Sequence, residues 1–209
     1  AWSPVAAPLG SVVILYGVAM ATPTDGWAVG NYGVMLHWNG MEWSRVMGPT
    51  EEVLTAVALA SATDGWAVSD AGTILHWDGR AWSRVASPSR TLLSAIDVVS
   101  ASDVWVVGGG GIILHWDGRS WSSVTSPTTA TLSSVSMTSA DNGWAAGANG
   151  TILHWDGRSW STVASPTGCE LSALGMIDAS HGWAVCRNGT ILRYWAPPET
   201  PTTATPPTV

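Results

Sequence analysis

Four of the five histidines occupy one repeated position, and histidine is the side chain most often used as a general acid or base. They are His37, His76, His115 and His154. One active site needs one base, whereas a residue present in each repeat is typical of packing or of a recurrent hydrogen bond. His76 and Asp78 are spaced like two metal ligands, but equivalent positions hold Asn39 and Arg193, so no ligand set converges. We therefore predict a structural role for these histidines, no metal site and no cofactor.

Aspartates also recur, in two sets that differ in their sequence context. The first set precedes glycine and is flanked by apolar residues, which is a strong hairpin signal; it contains Asp78, Asp117 and Asp156. The second set precedes a short tryptophan-containing run; it contains Asp25, Asp64, Asp103 and Asn142. Both sets are predicted to accept backbone hydrogen bonds in turns. The chain has no G-x-S-x-G nucleophile elbow, and we predict no catalytic residue and no enzymatic activity.

The only two cysteines, Cys169 and Cys186, lie in the fifth repeat. Cys169 precedes the first predicted strand of that repeat, and Cys186 ends the second. These strands are expected to be antiparallel neighbours, so the two thiols come close enough for a disulfide. Two unpaired thiols are the alternative.

Tryptophan defines the repeat. Three series recur at one constant interval, the interval that separates Trp27 from Trp66, and they account for thirteen of the fifteen tryptophans. The first series is Trp27, Trp66, Trp105, Trp144 and Trp183; the second is Trp38, Trp77, Trp116 and Trp155, with Tyr194 in the fifth slot; the third is Trp43, Trp82, Trp121 and Trp160. Residues 72–80 and 150–158 are identical. Because these series fall on predicted strands, most of the tryptophans are assigned to the core.

Each repeat contains four strand-like runs separated by turn residues. Four short antiparallel strands in a repeat of roughly 40 residues are typical of a β-propeller blade. The sequence therefore predicts an all-β, five-bladed β-propeller over residues 1–195. The fifth repeat stops before its fourth strand, and the N-terminal AWSPV matches the fourth-strand text AWSRV at 81–85. We thus expect residues 1–6 to complete the last blade and close the ring. Residues 196–209, rich in threonine and proline, are predicted to be a linker or stalk.

Composition limits the possible partners and compartments. The formal net charge is −7, lysine is absent, and the eight arginines are scattered, which argues against a nucleic-acid-binding surface. The longest apolar stretch, Val12 to Ala21, is about half of the ~20 residues that a membrane-spanning helix needs. A disulfide and a Thr/Pro-rich tail favour an extracellular or cell-surface location, and the Ala1 start fits removal of a signal peptide.

The repeated text DGWAVGxxGTILHWDGxxW resembles the blades of photosystem II stability and assembly factor propellers, and also the aspartate-box (BNR) repeats of sialidase-like propellers. The resemblance extends from Trp2 to Trp195. Residues 78–82, DGRAW, are one residue shorter than the aspartate-box spacing Asp-x-Gly-x-Thr-Trp, which weakens assignment to that second group. In these families the turn motif is structural, so the resemblance implies no active site. Sialidase chemistry needs an arginine cluster, an acid and a tyrosine nucleophile, and the tyrosines at 16, 32 and 194 allow no such set.

The function predicted from the sequence is a secreted or cell-surface binding or adhesion module that recognises a protein or a glycan. The alternatives are a structural subunit of an extracellular assembly or filament, formed by self-association, and, less favoured, a hydrolase or lyase. Loops that diverge between repeats are free to form a specific surface. The predicted binding residues are Tyr32, Asp70, Arg90, Asn149, Glu170, Arg187 and Asn188, and Glu51 and Glu52 belong to the same divergent loops. Unselected drift in exposed loops is the other explanation of that divergence.

Overall fold

The computed structural model describes residues 2–9 and 12–196. They form five antiparallel sheets, here called blades I to V. Blade I contains β1 (Leu15–Thr22), β2 (Asp25–Gly30), β3 (Met35–Trp38) and β4 (Trp43–Val46); blade II contains β5 (Leu54–Ser61), β6 (Asp64–Ser69), β7 (Ile74–Trp77) and β8 (Trp82–Val85). Blade III contains β9 (Leu93–Ser100), β10 (Asp103–Gly108), β11 (Ile113–Trp116) and β12 (Trp121–Ser123); blade IV contains β13 (Leu132–Ser139), β14 (Asn142–Gly147), β15 (Ile152–Trp155) and β16 (Trp160–Val163); blade V contains β17 (Leu171–Asp178), β18 (His181–Cys186) and β19 (Ile191–Trp195).

Asp-Gly turns set the register of the third and fourth strands. In blade II the Asp78 carboxylate accepts hydrogen bonds from the backbone N–H groups of Arg80 and Ala81, both at 2.9 Å. These bonds hold the pKa of Asp78 below its usual range. Gly79 has a φ of +85°, which favours glycine because other residues clash there. Asp117 and Asp156 make the same contacts, so the turn role predicted for the first aspartate set is confirmed.

Blades pack face to face through their tryptophans and aliphatic side chains. The first strands of consecutive blades lie side by side, so β1, β5, β9, β13 and β17 follow one another in chain order. Trp27, Trp66 and Trp105 are each at most 2% exposed, and each lies in a core cluster shared with the following blade. A buried tryptophan removes roughly 150–250 Å² of surface from water, so these clusters supply much of the stability of a chain with few charges. The prediction of a five-bladed β-propeller is confirmed.

The predicted closure of the ring by residues 1–6 is wrong. Blade V has three strands in the described part of the chain, and residues 2–9 form no strand. Trp2 is fully exposed, while Leu9 and Val13 pack on the apolar residues of blade I. Two physical reasons account for this placement: Pro4 has no N–H to donate to a sheet ladder, and the apolar side chains after it cover the otherwise open face of blade I. Among the described residues, the first and last blades are therefore not joined by strand pairing.

Residues 197–209, most of the predicted linker, lie outside the described part of the chain. Within residues 2–9 and 12–196, no helix is long and apolar enough to cross a membrane.

Candidate binding site on the loop face

Two kinds of connection meet on one face of the propeller: the turn between the second and third strands of each blade, and the link to the next blade. The Gly33 N–H donates to the Glu52 carbonyl over 2.8 Å, and the Gly150 N–H donates to the Cys169 carbonyl over the same distance. We call this surface the loop face. The opposite surface, the turn face, carries the Asp-Gly turns; there the Trp77 indole N–H donates to the Ala62 carbonyl over 3.0 Å. All seven predicted binding residues lie in loop-face connections.

Four of these seven residues lie around the disulfide that joins the link before blade V to the second strand of that blade. Cys169 and Cys186 are bonded, with their Cα atoms 6.0 Å apart, as the sequence predicted. Beside them the Arg187 guanidinium lies 3.0 Å from the Glu170 carboxylate. This pair is largely exposed, so it contributes at most about 1 kcal/mol to stability. Asn188 caps its own turn through the Thr190 N–H, and Asn149 belongs to the neighbouring turn of blade IV.

Asp70 and Arg90 lie on separate sides of one turn in blade II. The Asp70 N–H donates to the Val53 carbonyl in the preceding link. Arg90 lies in the following link. Its backbone passes close to Gly72, since a Cβ added to Gly72 would lie 2.7 Å from the Arg90 Cα. These two residues are thus not part of the cluster at the disulfide, and the predicted residues do not form one continuous site.

Tyr32 stands apart because of its backbone. It has φ +55° and ψ +31°, a left-handed conformation, and its side chain is 62% exposed. The equivalent positions in blades III and IV hold Gly110 and Asn149, residues that tolerate this conformation. A tyrosine there costs on the order of 1 kcal/mol, and such strain is concentrated at functional sites.

A cavity of about 800 Å³ opens beside Tyr32, between blades I and II. Its walls include two guanidinium groups, Arg45 and Arg84, two carboxylates, Glu51 and Glu52, and the apolar side chain of Met47. Both arginines occupy the third residue of a fourth strand, where Ser123 and Thr162 stand in blades III and IV. Sequence reasoning missed them because it considered only the loops. The sequence feature that could have identified them is that arginine occupies the third residue of the fourth strand in blades I and II but not in blades III and IV.

The two arginines differ in their electrostatic surroundings. Arg84 donates to the Pro49 carbonyl at 3.1 Å, to the Thr50 hydroxyl at 2.8 Å and to the Glu52 carboxylate at 3.2 Å. Arg45 is exposed, and the described residues give its side chain no ion pair and no hydrogen bond. Arg45 therefore supplies the available positive charge of the cavity.

Glu52 anchors this wall of the cavity. Its second carboxylate oxygen accepts a 2.7 Å hydrogen bond from the Ser69 hydroxyl, which is completely buried. Burial raises the pKa of Glu52, but hydrogen bonds from Ser69 and Thr73, together with the Arg84 charge, lower it overall. Glu52 thus remains ionised and holds Arg84 in place.

The repeated histidines bind the second aspartate set, which corrects the turn role predicted for that set. His37, His76 and His115 lie 3.1, 2.8 and 2.9 Å from the carboxylates of Asp25, Asp64 and Asp103. Each histidine ring also packs on the first-series tryptophan of its blade, at 4.2–4.6 Å between centroids. These contacts join the second and third strands.

Blade IV carries a variant of this pair. His154 faces the Asn142 amide at 3.0 Å instead of a carboxylate, and partial burial lowers the pKa of His154. Within the described residues, no three histidine, cysteine or acidic side chains are grouped so as to hold a metal ion.

No family model matches the chain, and no curated protein matches it in sequence. Solved structures match its fold. A structure of YCF48 bound to D1 peptide is 16% identical, with a TM-score of 0.71 over 93% of this chain and 66% of that one. YCF48 from Cyanidioschyzon merolae is 20% identical, with a TM-score of 0.69 over 88% of this chain and 67% of that one. The WD40 repeats of RRP9 are 10% identical, with a TM-score of 0.77 over 90% of this chain and 64% of that one.

This chain spans about two thirds of the length of each of these structures. At such low identities the likeness concerns the fold. The chain is a β-propeller that resembles the photosystem II assembly factor YCF48 and the WD40 propellers.

Proposed function

We propose that this chain is a secreted or cell-surface, non-enzymatic module that binds a protein partner in the loop-face cavity between blades I and II. The observation that carries the proposal is the combination of a strained, exposed Tyr32 with an Arg45 side chain that has no ion pair, in one open cavity. Strain in the backbone is retained where it serves a site. The disulfide supports an oxidising compartment.

The chemistry of the cavity favours an extended peptide segment with an acidic side chain. Arg45 offers a guanidinium that can bind a carboxylate through two parallel hydrogen bonds. Met47 and Pro49 offer apolar surface beside it, and Tyr32 adds a flat aromatic ring at the rim. Tyrosine and arginine are enriched among the residues that dominate binding energy at protein interfaces. A solved structure of YCF48, which resembles this chain in fold, has D1 peptide bound, and this supports a peptide as the class of ligand.

The non-enzymatic assignment rests on the titratable groups. The histidines and most aspartates are repeated structural elements, engaged in strand pairing and turns. Glu52 and Arg84 neutralise one another in the cavity wall. General acid–base catalysis needs a titratable group that is able to exchange its proton with substrate, and these groups are committed to internal partners.

The test is selection of peptides from a random phage-displayed library on the purified chain, followed by calorimetry of the enriched peptides. We expect enrichment of acidic residues. Arg45→Ala should weaken binding at least about fivefold, a loss of ~1 kcal/mol, and Arg45→Lys should weaken it less. Tyr32→Asn should also weaken binding while preserving the left-handed turn.

Arg119→Ala is the matched control, because Arg119 is an exposed arginine of the turn face. The affinity of this variant for the same peptides should equal that of the unmodified chain. Peptides whose affinity is unchanged by both Arg45→Ala and Tyr32→Asn would place the site elsewhere. A library that yields no binding peptide would overturn the proposal.

A further inference from the structure

Four of the five asparagines of this chain are followed by glycine; they are Asn39, Asn142, Asn149 and Asn188. Asparagine is one of the thermolabile residues. It loses its side-chain amide most readily before glycine, because glycine has no side chain to hinder its backbone nitrogen from attacking the asparagine Cγ atom. The structure places these four dipeptides in different surroundings, and the surroundings decide which of them can react.

Two of the dipeptides have their attacking nitrogen tied down by a hydrogen bond. The Gly150 N–H donates to the Cys169 carbonyl over 2.8 Å, and the Gly189 N–H donates to the Cys186 carbonyl over 3.1 Å. A backbone nitrogen becomes a nucleophile only when it gives up its proton, and these bonds must break first. Asn149 and Asn188 are therefore protected in the folded chain.

The third dipeptide lies inside a sheet. Asn142 and Gly143 belong to β14, which is paired with a strand on each side. The Asn142 side-chain oxygen accepts a 3.0 Å hydrogen bond from the Thr138 hydroxyl, and its amide nitrogen lies 3.0 Å from the His154 ring. Both the backbone and the side chain of Asn142 are thus held away from the reaction.

The fourth dipeptide, Asn39-Gly40, forms the turn between β3 and β4. Within residues 2–9 and 12–196, the Gly40 N–H has no hydrogen-bond acceptor. Asn39 is exposed, and so are the equivalent residues Asp78 and Asp117, whose blades have a neighbouring blade on each side. The exposure of this turn is therefore a property of the turn face and does not depend on the position of blade I in the chain.

The turn also stabilises the charge that develops when Gly40 attacks. The Asn39 Oδ1 atom accepts hydrogen bonds from the backbone N–H groups of Met41 and Glu42, at 2.9 and 3.0 Å. This oxygen becomes negative as the nitrogen adds to Cγ, and two fixed N–H donors at such distances favour an oxyanion. Among the described residues, the Asn188 side-chain oxygen has a single donor of this kind, the Thr190 N–H.

We propose that Asn39 is a site of spontaneous deamidation in the folded chain, with water as the co-reactant. The Gly40 nitrogen gives its proton to solvent and forms a bond to the Asn39 Cγ. The bond from Cγ to Nδ2 breaks, and Nδ2 takes up a proton and leaves as ammonia. Water then opens the cyclic imide. Addition of water at Cγ gives an aspartate at position 39, and addition at the main-chain carbonyl gives an isoaspartate.

The aspartate product fits the turn that already exists. The carboxylates of Asp78, Asp117 and Asp156 accept the same pair of backbone hydrogen bonds in blades II to IV. These bonds lower the pKa of all three aspartates. They therefore stay ionised, and an ionised carboxylate resists attack by nitrogen. Asn39 is thus the reactive member of this set, and its deamidation adds a negative charge to the turn face without involving the loop-face cavity.

Timed incubation at pH 8, followed by mass spectrometry of peptides, tests the proposal. In the folded chain, Asn39 should acquire the mass of an amide-to-carboxyl change before any of the other three asparagines does. In the chain unfolded in guanidinium chloride, the four dipeptides should react at similar rates. Folding should therefore slow the other three at least about tenfold, since their hydrogen bonds must open first, and should slow Asn39 less.

Ion-exchange chromatography of two variants provides the control. Asn39→Ser should form no acidic species in the time that the unmodified chain forms one, and Asn39→Asp marks where that species elutes. Asn188→Ser is the matched control, because it removes another Asn-Gly turn, and it should form the acidic species at the unmodified rate. The proposal would be overturned by an Asn39 that stays intact while another of the dipeptides reacts. It would also be overturned by an acidic species that appears in Asn39→Ser at the unmodified rate.

Discussion

The carboxylate of Asp97 accepts a 2.6 Å hydrogen bond from the backbone N–H of Met137 in the following blade. A second bond, of 2.9 Å, comes from the Val98 N–H. The same bridge between neighbouring first strands is made in the next pair of blades by Ser136, whose hydroxyl lies 3.1 Å from the Met176 N–H. Asp97 therefore links two neighbouring first strands through a carboxylate, and Ser136 makes the equivalent link through a hydroxyl one blade later.

Asp97→Ser should stabilise the chain at neutral pH. Burial raises the pKa of Asp97, and the two backbone hydrogen bonds only partly oppose this. Because the pKa of Asp97 is higher in the folded chain than in the unfolded chain, the contribution of Asp97 to the free energy of unfolding is greatest below the unfolded-state pKa, near 4. That contribution is lost as the pH rises through the folded-state pKa. Serine removes that loss, so we expect a Tm about 2–4 °C higher at pH 7, on the order of 1 kcal/mol.

Thermal melts from pH 3 to pH 8 check this prediction. The advantage of Asp97→Ser should shrink as pH falls, because the aspartate of the unmodified chain becomes neutral. Ser136→Ala is a useful comparison, since it removes the equivalent bridge without a charge and should lower Tm at every pH. A difference between Asp97→Ser and the unmodified chain that is independent of pH would show that the charge is not responsible.

Asn142→Asp should reduce the loss of stability at mildly acidic pH. The pKa of His154 is lowered by partial burial, so the unfolded chain binds this proton more readily than the folded one. Stability contributed by neutral His154 is therefore lost as pH falls below about 6.5. A carboxylate at 142 recreates the pair found at Asp64 and His76 and favours the charged ring.

The measurement is Tm as a function of pH for Asn142→Asp, for His154→Asn and for the double variant. Asn142→Asp should gain more stability at pH 5.5 than at pH 8, and the gain should vanish when His154 is absent. An equal gain with and without His154 would assign the effect to the turn instead of to the pair.

The disulfide should carry a substantial part of the stability of blade V. Cys169 and Cys186 are separated by 17 residues, for which the chain-entropy model gives about 3 kcal/mol. Titration of the unfolded, unreduced chain should find no free thiol. Replacement of both cysteines by serine should lower Tm, and a reducing agent should lower the Tm of the unmodified chain to the same value while leaving the variant unchanged. Equal melting temperatures with and without reductant would contradict this expectation.

The strands were predictable because turn residues and tryptophans recur at one constant interval, and the blade register follows from them. The second aspartate set was wrongly predicted to consist of turn residues. At Asp78-Gly79 the glycine has φ +85° and makes a turn. At Asp25-Gly26 the glycine lies within a strand, where an added Cβ would collide with the Met20 side chain. In blade III the same position holds Val104, opposite Val98, so the side chain on the neighbouring strand decides whether a glycine is needed. That contact is not visible in a dipeptide.

The placement of the N-terminal segment was not predictable from its resemblance to a fourth strand. The pattern WSPV indicates what the segment can pair with, but not which sheet edge is within reach. Intervening apolar residues, such as Leu9 and Val13, have a nearer surface on blade I. Similarly, Arg45 and Arg84 become neighbours only when two blades pack side by side. Comparison of loops alone could not reveal a cavity whose charge comes from strands.

Tyr32→Asn should stabilise the chain even though Tyr32 is proposed to bind the partner. Asparagine is the natural residue at this left-handed position in blade IV, with φ +56°. Relief of the strain at Tyr32 is worth on the order of 1 kcal/mol, or about 2–4 °C in Tm for a chain of this size. The reciprocal variant Asn149→Tyr should lower Tm by a similar amount, and it is the matched control because it places the same side chain in the same turn of another blade. Differential scanning calorimetry of both variants measures this. If Tyr32→Asn lowered Tm instead, the ring would be making stabilising contacts that outweigh its backbone strain, and its retention would need no ligand.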